Sequence, residues 1–172
     1  MRYDNPKTNF PIWRSMLFVP AHIEKFVDKA HQQGADAYIL DLEDSVPLAE
    51  KAAARQMVGA GAAKVSQSGS AVVVRINHPL RLAIRDLEAV VDRAISTIVI
   101  PKVSKAEQVK AIDSIIEELE TEQSMEPGHT RLIAQIESAD ALPHLDEIAT
   151  SSPRLLGMIL GSEDFSASAG MK

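Results

Sequence analysis

The 172-residue chain contains no cysteine. That excludes a thiol nucleophile, a thiolate zinc site and any disulfide framework, and it is in keeping with a reducing cytoplasm. Positive charge is also in deficit, with 18 Lys and Arg against 24 Asp and Glu and a formal net charge of -6. This balance speaks against a phosphate-backbone binder, so no nucleic-acid partner is expected. No apolar run approaches the roughly 20 residues that a membrane span needs, and the polar N-terminus does not resemble a secretory signal. No glycine-rich loop of the GxGxxG or GxxxxGK type is present to cradle a phosphate. A cytoplasmic protein without a membrane partner is the expectation.

What is present has the balance of a globular domain, 45% hydrophobic and 24% charged, in a chain long enough to bury one sizeable core. A single domain over residues 1–172 is expected, led by an N-terminal arm at 1–12 that carries prolines and no periodicity. The organising stretch is Leu132-Ile133-Ala134-Gln135-Ile136-Glu137-Ser138. An uninterrupted run of this length reads as a strand buried on both faces, the mark of a parallel sheet. Strand signals of the same kind occur at 14–20, 37–42, 71–76, 97–103 and 155–160. Between them lie amphipathic segments, such as Ile23, Phe26, Val27 and Ala30 before Gly34, and Val109, Ile112, Ile116 and Leu119 behind a Ser104/Glu107 capping pair. Leu142, Leu145 and Ile148 mark another, and Phe18 and Met158 read as core. Six strand signals alternating with helical ones fit either a doubly wound α/β sheet or a (β/α)8 TIM-barrel type. Small polar residues follow the last strand, as in a barrel truncated after its sixth strand.

The strand ends carry the candidate chemistry: Glu43 and Asp44, Arg75 and Asn77, Lys102, Glu137, and Glu163 with Asp164. Parallel α/β folds place their sites at the carboxyl ends of strands. Glu137 with one of Glu163 or Asp164 has the chemistry to hold magnesium, which takes one or two carboxylates and keeps water and substrate oxygens elsewhere. Arg75 offers a planar fork for a carboxylate or an enolate oxygen. Each of these residues could instead serve a helix cap or an ion pair, Arg75 with Glu137 for example. Lys102 reads as structural or substrate-orienting, and His22 and His78 as hydrogen-bonded surface residues.

Taken in order, Arg14-Ser-Met-Leu-Phe-Val-Pro20, Leu40-Asp-Leu-Glu-Asp-Ser-Val46, Val74-Arg-Ile-Asn77, Pro101-Lys-Val103, Ile136-Glu-Ser-Ala139 and Gly161-Ser-Glu-Asp-Phe165 resemble the citrate lyase β-subunit-like branch of the HpcH/HpaI aldolase family. The resemblance implies a (β/α)8 barrel, a homo-oligomer (a trimer or a multiple of one), and magnesium at the carboxyl rim. It implies cleavage of a carbon–carbon bond in a 3-hydroxyacyl thioester of the citryl, malyl or citramalyl type, carried on coenzyme A or an acyl carrier. By the same resemblance Glu137 and Asp164 are metal ligands and Arg75 contacts substrate. Glu43 and Asp44 order metal-bound water and substrate, and Arg14 is a further substrate contact. The chain departs from the family at Pro20-Ala21, where Pro-Gly is usual, and family members continue for roughly another hundred residues. The alternatives are a catalytically incomplete fragment that acts as an oligomerising subunit, and a class II pyruvate aldolase.

Overall fold

A computed structural model describes residues 11–171; most of the expected arm lies outside them. The strands are β1 (Met16–Pro20), β2 (Ala37–Asp41), β3 (Ala71–Arg75), β4 (Thr97–Ile100), β5 (Arg131–Ile136) and β6 (Leu155–Leu160). The helices that follow them in turn are α1 (Glu24–Ala30), α2 (Lys51–Val65), α3 (Leu80–Val90), α4 (Ala106–Glu122), α5 (Leu145–Ala149) and α6 (Ser162–Ser168). All neighbouring strands pair in parallel, in the order β1-β2-β3-β4-β5-β6.

That order decides between the two architectures. A doubly wound sheet reverses its strand sequence at a switch point, and here it never reverses. Right-handed crossovers running one way put every helix on one face of the sheet, so the fold is of the (β/α)8-barrel type. Two apolar layers result. Leu40, Val74, Ile98 and Leu132 meet Val58, Leu87, Val109, Ile116 and Ile148 on the helix side. Alternate residues Ala37, Ile39, Val73, Val99 and Ile133 fill the concave side. Ile39 and Leu40 are neighbours in sequence, point to opposite faces and are both fully buried, which is why the strands read as unbroken apolar runs. Among the described residues, no helix is long and apolar enough to cross a membrane.

Local departures from expectation have physical causes. β4 stops at Ile100 because Pro101 cannot donate to the ladder and Lys102 takes a positive φ of 53°. α4 begins one residue later than the Ser104/Glu107 pair requires, so Gln108 does the capping. Its Oε1 accepts from the backbone N–H of Ser104 (2.8 Å) and Lys105 (3.0 Å). Residues 139–144 form a 3-10 turn holding Pro143, which leaves Leu142 exposed. The small residues after β6 form α6, with Phe165 packed against the core. Phe18 and Met158, expected in the core, are 41% and 39% exposed. They lie on β1 and β6, the two edges of the sheet, each with a strand neighbour on one side alone.

Candidate metal centre

The site grows from the register of β2 and β3. Asp41 and Arg75 are register partners at the strand ends. Arg75 Nε donates to Asp41 Oδ1 at 2.7 Å and Nη2 to Oδ2 at 2.8 Å, a bidentate pair between buried groups. Burial opposes the Asp41 charge, but the Arg75 donors outweigh it and hold the carboxyl below its ordinary range. Asp41 also accepts from the backbone N–H of Glu43 (2.9 Å) and from the Ser45 hydroxyl (2.6 Å), so it shapes the turn that carries Glu43 and Asp44. The Phe18 ring lies 4.8 Å from the Arg75 guanidinium carbon. Arg75 Nη1 is directed toward Glu43 Oε2 at 3.2 Å and Asp44 Oδ2 at 3.7 Å.

Glu137 follows β5 and is held on both oxygens. Oε2 accepts from the Lys102 backbone N–H at 2.7 Å, and Oε1 from Gln135 Nε2 at 3.0 Å. Burial raises the Glu137 pKa, and the Lys102 N–H offsets part of the rise. The β6–α6 turn presses on the same side chain through Gly161, where no Cβ fits.

Lys102 joins the acids from the other side. Its Nζ donates to Glu43 Oε1 at 2.9 Å and Asp44 Oδ1 at 3.1 Å, and lies 3.6 Å from Asp164 Oδ2. Burial pushes the Glu43 carboxyl up to about 7, against the pull of Lys102 and Arg75. Burial also works against the Lys102 ammonium, but hydrogen bonds to Glu43 and Asp44 prevail and raise its pKa. Lys51 Nζ fixes the turn below by donating to the carbonyls of Leu42 (2.8 Å) and Glu43 (2.9 Å).

Carboxylate oxygens of Asp44, Glu137 and Asp164 come within 4.8 Å of one another. An all-oxygen set of this span suits a hard divalent cation. It borders a cavity of about 680 Å³ lined by Phe18, Arg75, Gln135 and Glu163 among others. The structure thus brings Glu43, Asp44, Arg75, Glu137 and Asp164 to one rim, and of the two acids after β6 it is Asp164 that joins the cluster. Arg14 does not join them. It precedes β1 at the opposite end of the sheet, exposed and paired with Asp36 at 3.0 Å, so it cannot share the rim with the acids. The bond to Arg14 holds the Asp36 carboxyl down to about 2. His22 lies 3.6 Å from Glu50, and exposed His78 borders a separate cleft between α3 and α4. Sequence reasoning passed over Asp41 and Gln135, and the two-residue alternation inside Asp41-Leu42-Glu43 and Gln135-Ile136-Glu137 was the available signal.

A family model described as HpcH/HpaI aldolase/citrate lyase matches residues 14–172. The chain belongs to this family. Within the HpcH/HpaI aldolase/citrate lyase family it is 38% identical to citrate lyase subunit beta of Leuconostoc mesenteroides subsp. cremoris over 153 residues, 88% of this chain and 51% of that one. It is 35% identical to L-malyl-CoA/beta-methylmalyl-CoA lyase of Rhodobacter capsulatus over 162 residues, 92% of this chain and 51% of that one. A crystal structure of protein CitE from Mycobacterium tuberculosis in complex with magnesium and acetoacetate superposes with a TM-score of 0.66 at 33% identity, covering 91% of this chain and 57% of that one. The chain spans about half the length of the curated relatives it matches.

Proposed function

We propose that this chain forms the catalytic rim of a magnesium-dependent carbon–carbon lyase for a 3-hydroxyacyl thioester, releasing a keto acid and an acetyl thioester. The observation that carries the reading is the meeting of Asp44, Glu137 and Asp164 beside Arg75 at the carboxyl ends of the strands. The names of the citrate lyase and malyl-CoA lyase relatives supply the substrate class, and the magnesium in the CitE complex supports the cation. When bound, the ion is a template and Lewis acid for substrate oxygens. The protein's own residues do the rest. Arg75 sets a fixed positive charge in the cavity wall, where negative charge gathers on the thioester carbonyl as the bond breaks. Asp41 and Phe18 hold that guanidinium in place in advance, so little reorganisation is needed. Gln135 and the Lys102 N–H aim Glu137. The thioester is carried on coenzyme A or an acyl carrier, the assembly is a homo-oligomer, and the setting is the cytoplasm.

A second reading is that this chain acts as an oligomerising subunit without turnover of its own. It is favoured by the sheet edges, where Leu17, Phe18 and Leu160 are exposed on β1 and β6. Assay of citryl-, malyl- and citramalyl-CoA against the free acids, with magnesium and with chelator, separates the two. The lyase reading expects magnesium-dependent cleavage of a thioester, abolished by Asp164→Ala with the fold retained. Cleavage of free acids alone would point to an aldolase. Absence of cleavage under all conditions would favour the subunit.

A further inference from the structure

Lys102 sits where a second cation belongs. Its Nζ lies within 3.6 Å of carboxylate oxygens of Glu43, Asp44 and Asp164, and Asp44 and Asp164 are two of the three members of the cluster. The side chain reaches this position from a backbone that L residues rarely adopt, at φ 53°. That same backbone turns the Lys102 N–H onto Glu137, the third member. A single residue therefore touches every acid of the centre, one through its main chain and the others through its ammonium. Strained conformations of this kind persist where surrounding structure over-determines them.

We propose that the Lys102 ammonium is a resident cation that competes with the divalent ion for the carboxylate cluster, so that this side chain sets the metal affinity of the centre. The inference rests on the magnesium reading above and adds a sign to it. Asp44 and Asp164 cannot give the same oxygens both to the ammonium and to a metal. Binding of the ion requires Nζ to withdraw toward Glu43, and a positive charge remains nearby to oppose it. A lysine that merely clamped the acids together would have the reverse effect, because its removal would let them splay and weaken binding.

The test is titration of the 172-residue chain with Mn²⁺ alone, read by the electron paramagnetic resonance of the free ion, with Mg²⁺ added as competitor. Lys102→Met deletes the charge and keeps the bulk of the chain. Lys102→Gly deletes the charge and relieves the positive φ. Both variants should bind Mn²⁺ roughly tenfold more tightly than the parent, and Asp164→Ala should bind it more weakly. Unchanged or weaker binding in both lysine variants, with the parent binding normally, overturns the competition and leaves the magnesium centre standing. Binding seen only after the ammonium is removed supports the competition in its strongest form. Absence of binding in the parent and in both variants overturns the inference and the centre together.

Discussion

Gly161 rests directly against Glu137: a Cβ at its position would lie 2.5 Å from Glu137 Cγ and 2.9 Å from its Oε1. Gln135 Nε2 would stand 3.0 Å from the same point, so the added methyl has nowhere to go. Gly161→Ala is expected to push the carboxylate off its two donors and lower metal affinity by about 10–100-fold. Far-UV circular dichroism should be unchanged, since the strain is confined to one turn. Full metal affinity in this variant would show that Glu137 does not need its present orientation.

Arg75 has a second role that its place at the rim hides. Its loss leaves Asp41 as a buried carboxylate without a countercharge. Arg75→Ala should therefore destabilise the protein by about 3–5 kcal/mol, beyond abolishing turnover. Urea unfolding of Arg75→Ala beside Arg75→Ala/Asp41→Leu separates the contributions, because the double variant also removes the stranded charge and should recover part of the loss.

Glu43 makes stability depend on pH in a stated direction. Its folded carboxyl is pushed up to about 7, above the unfolded value near 4.5. Between those values the folded state binds the extra proton, so stability falls as pH rises through the window. In chelator-treated protein, Glu43→Gln removes the titration. Its stability relative to the parent should improve from pH 5 to pH 8, measured by urea unfolding at both. A difference that does not change with pH would mean that Glu43 titrates alike in both states.

Far from the rim, Arg154 is buried between Asp113 and Glu120, with Nε 2.6 Å from Asp113 Oδ1 and Nη2 2.8 Å from Glu120 Oε2. Glu120 also accepts from the backbone N–H of Gly128 (2.8 Å) and Thr130 (2.7 Å). This network ties α4 to the loop entering β5. Arg154→Ala should lower stability by about 3–5 kcal/mol and leave Mn²⁺ affinity as in the parent. A matching fall in affinity would show that the network positions the site as well.

Much of this layout was legible in the residues themselves. The strands of a parallel sheet are buried on both sides, so Leu132 to Ile136 stand out as an apolar run, and whatever follows such a run must emerge at the rim. Glu137, Arg75, Asp44 and Asp164 could be picked out in that way. Asp41 could not, because a lone acid inside a strand gains meaning only when its partner on the next strand is known. Lys102 was read as structural for want of a visible neighbour, and its left-handed backbone leaves no trace in composition. Phe18 and Met158 show the limit from the other side. An apolar side chain in a strand announces which face it belongs to, but its burial depends on whether another strand lies alongside.

The Asp41–Arg75 pair also guards the alignment of its own strands. Both side chains point to the concave face because the two residues stand directly opposite each other. A slip of β3 by one residue would turn the guanidinium toward the helices and strand a carboxylate in an apolar interior. Mispaired forms of the sheet are thus penalised by the very charges that equip the rim, and a chain that reaches the correct alignment arrives with its arginine already aimed.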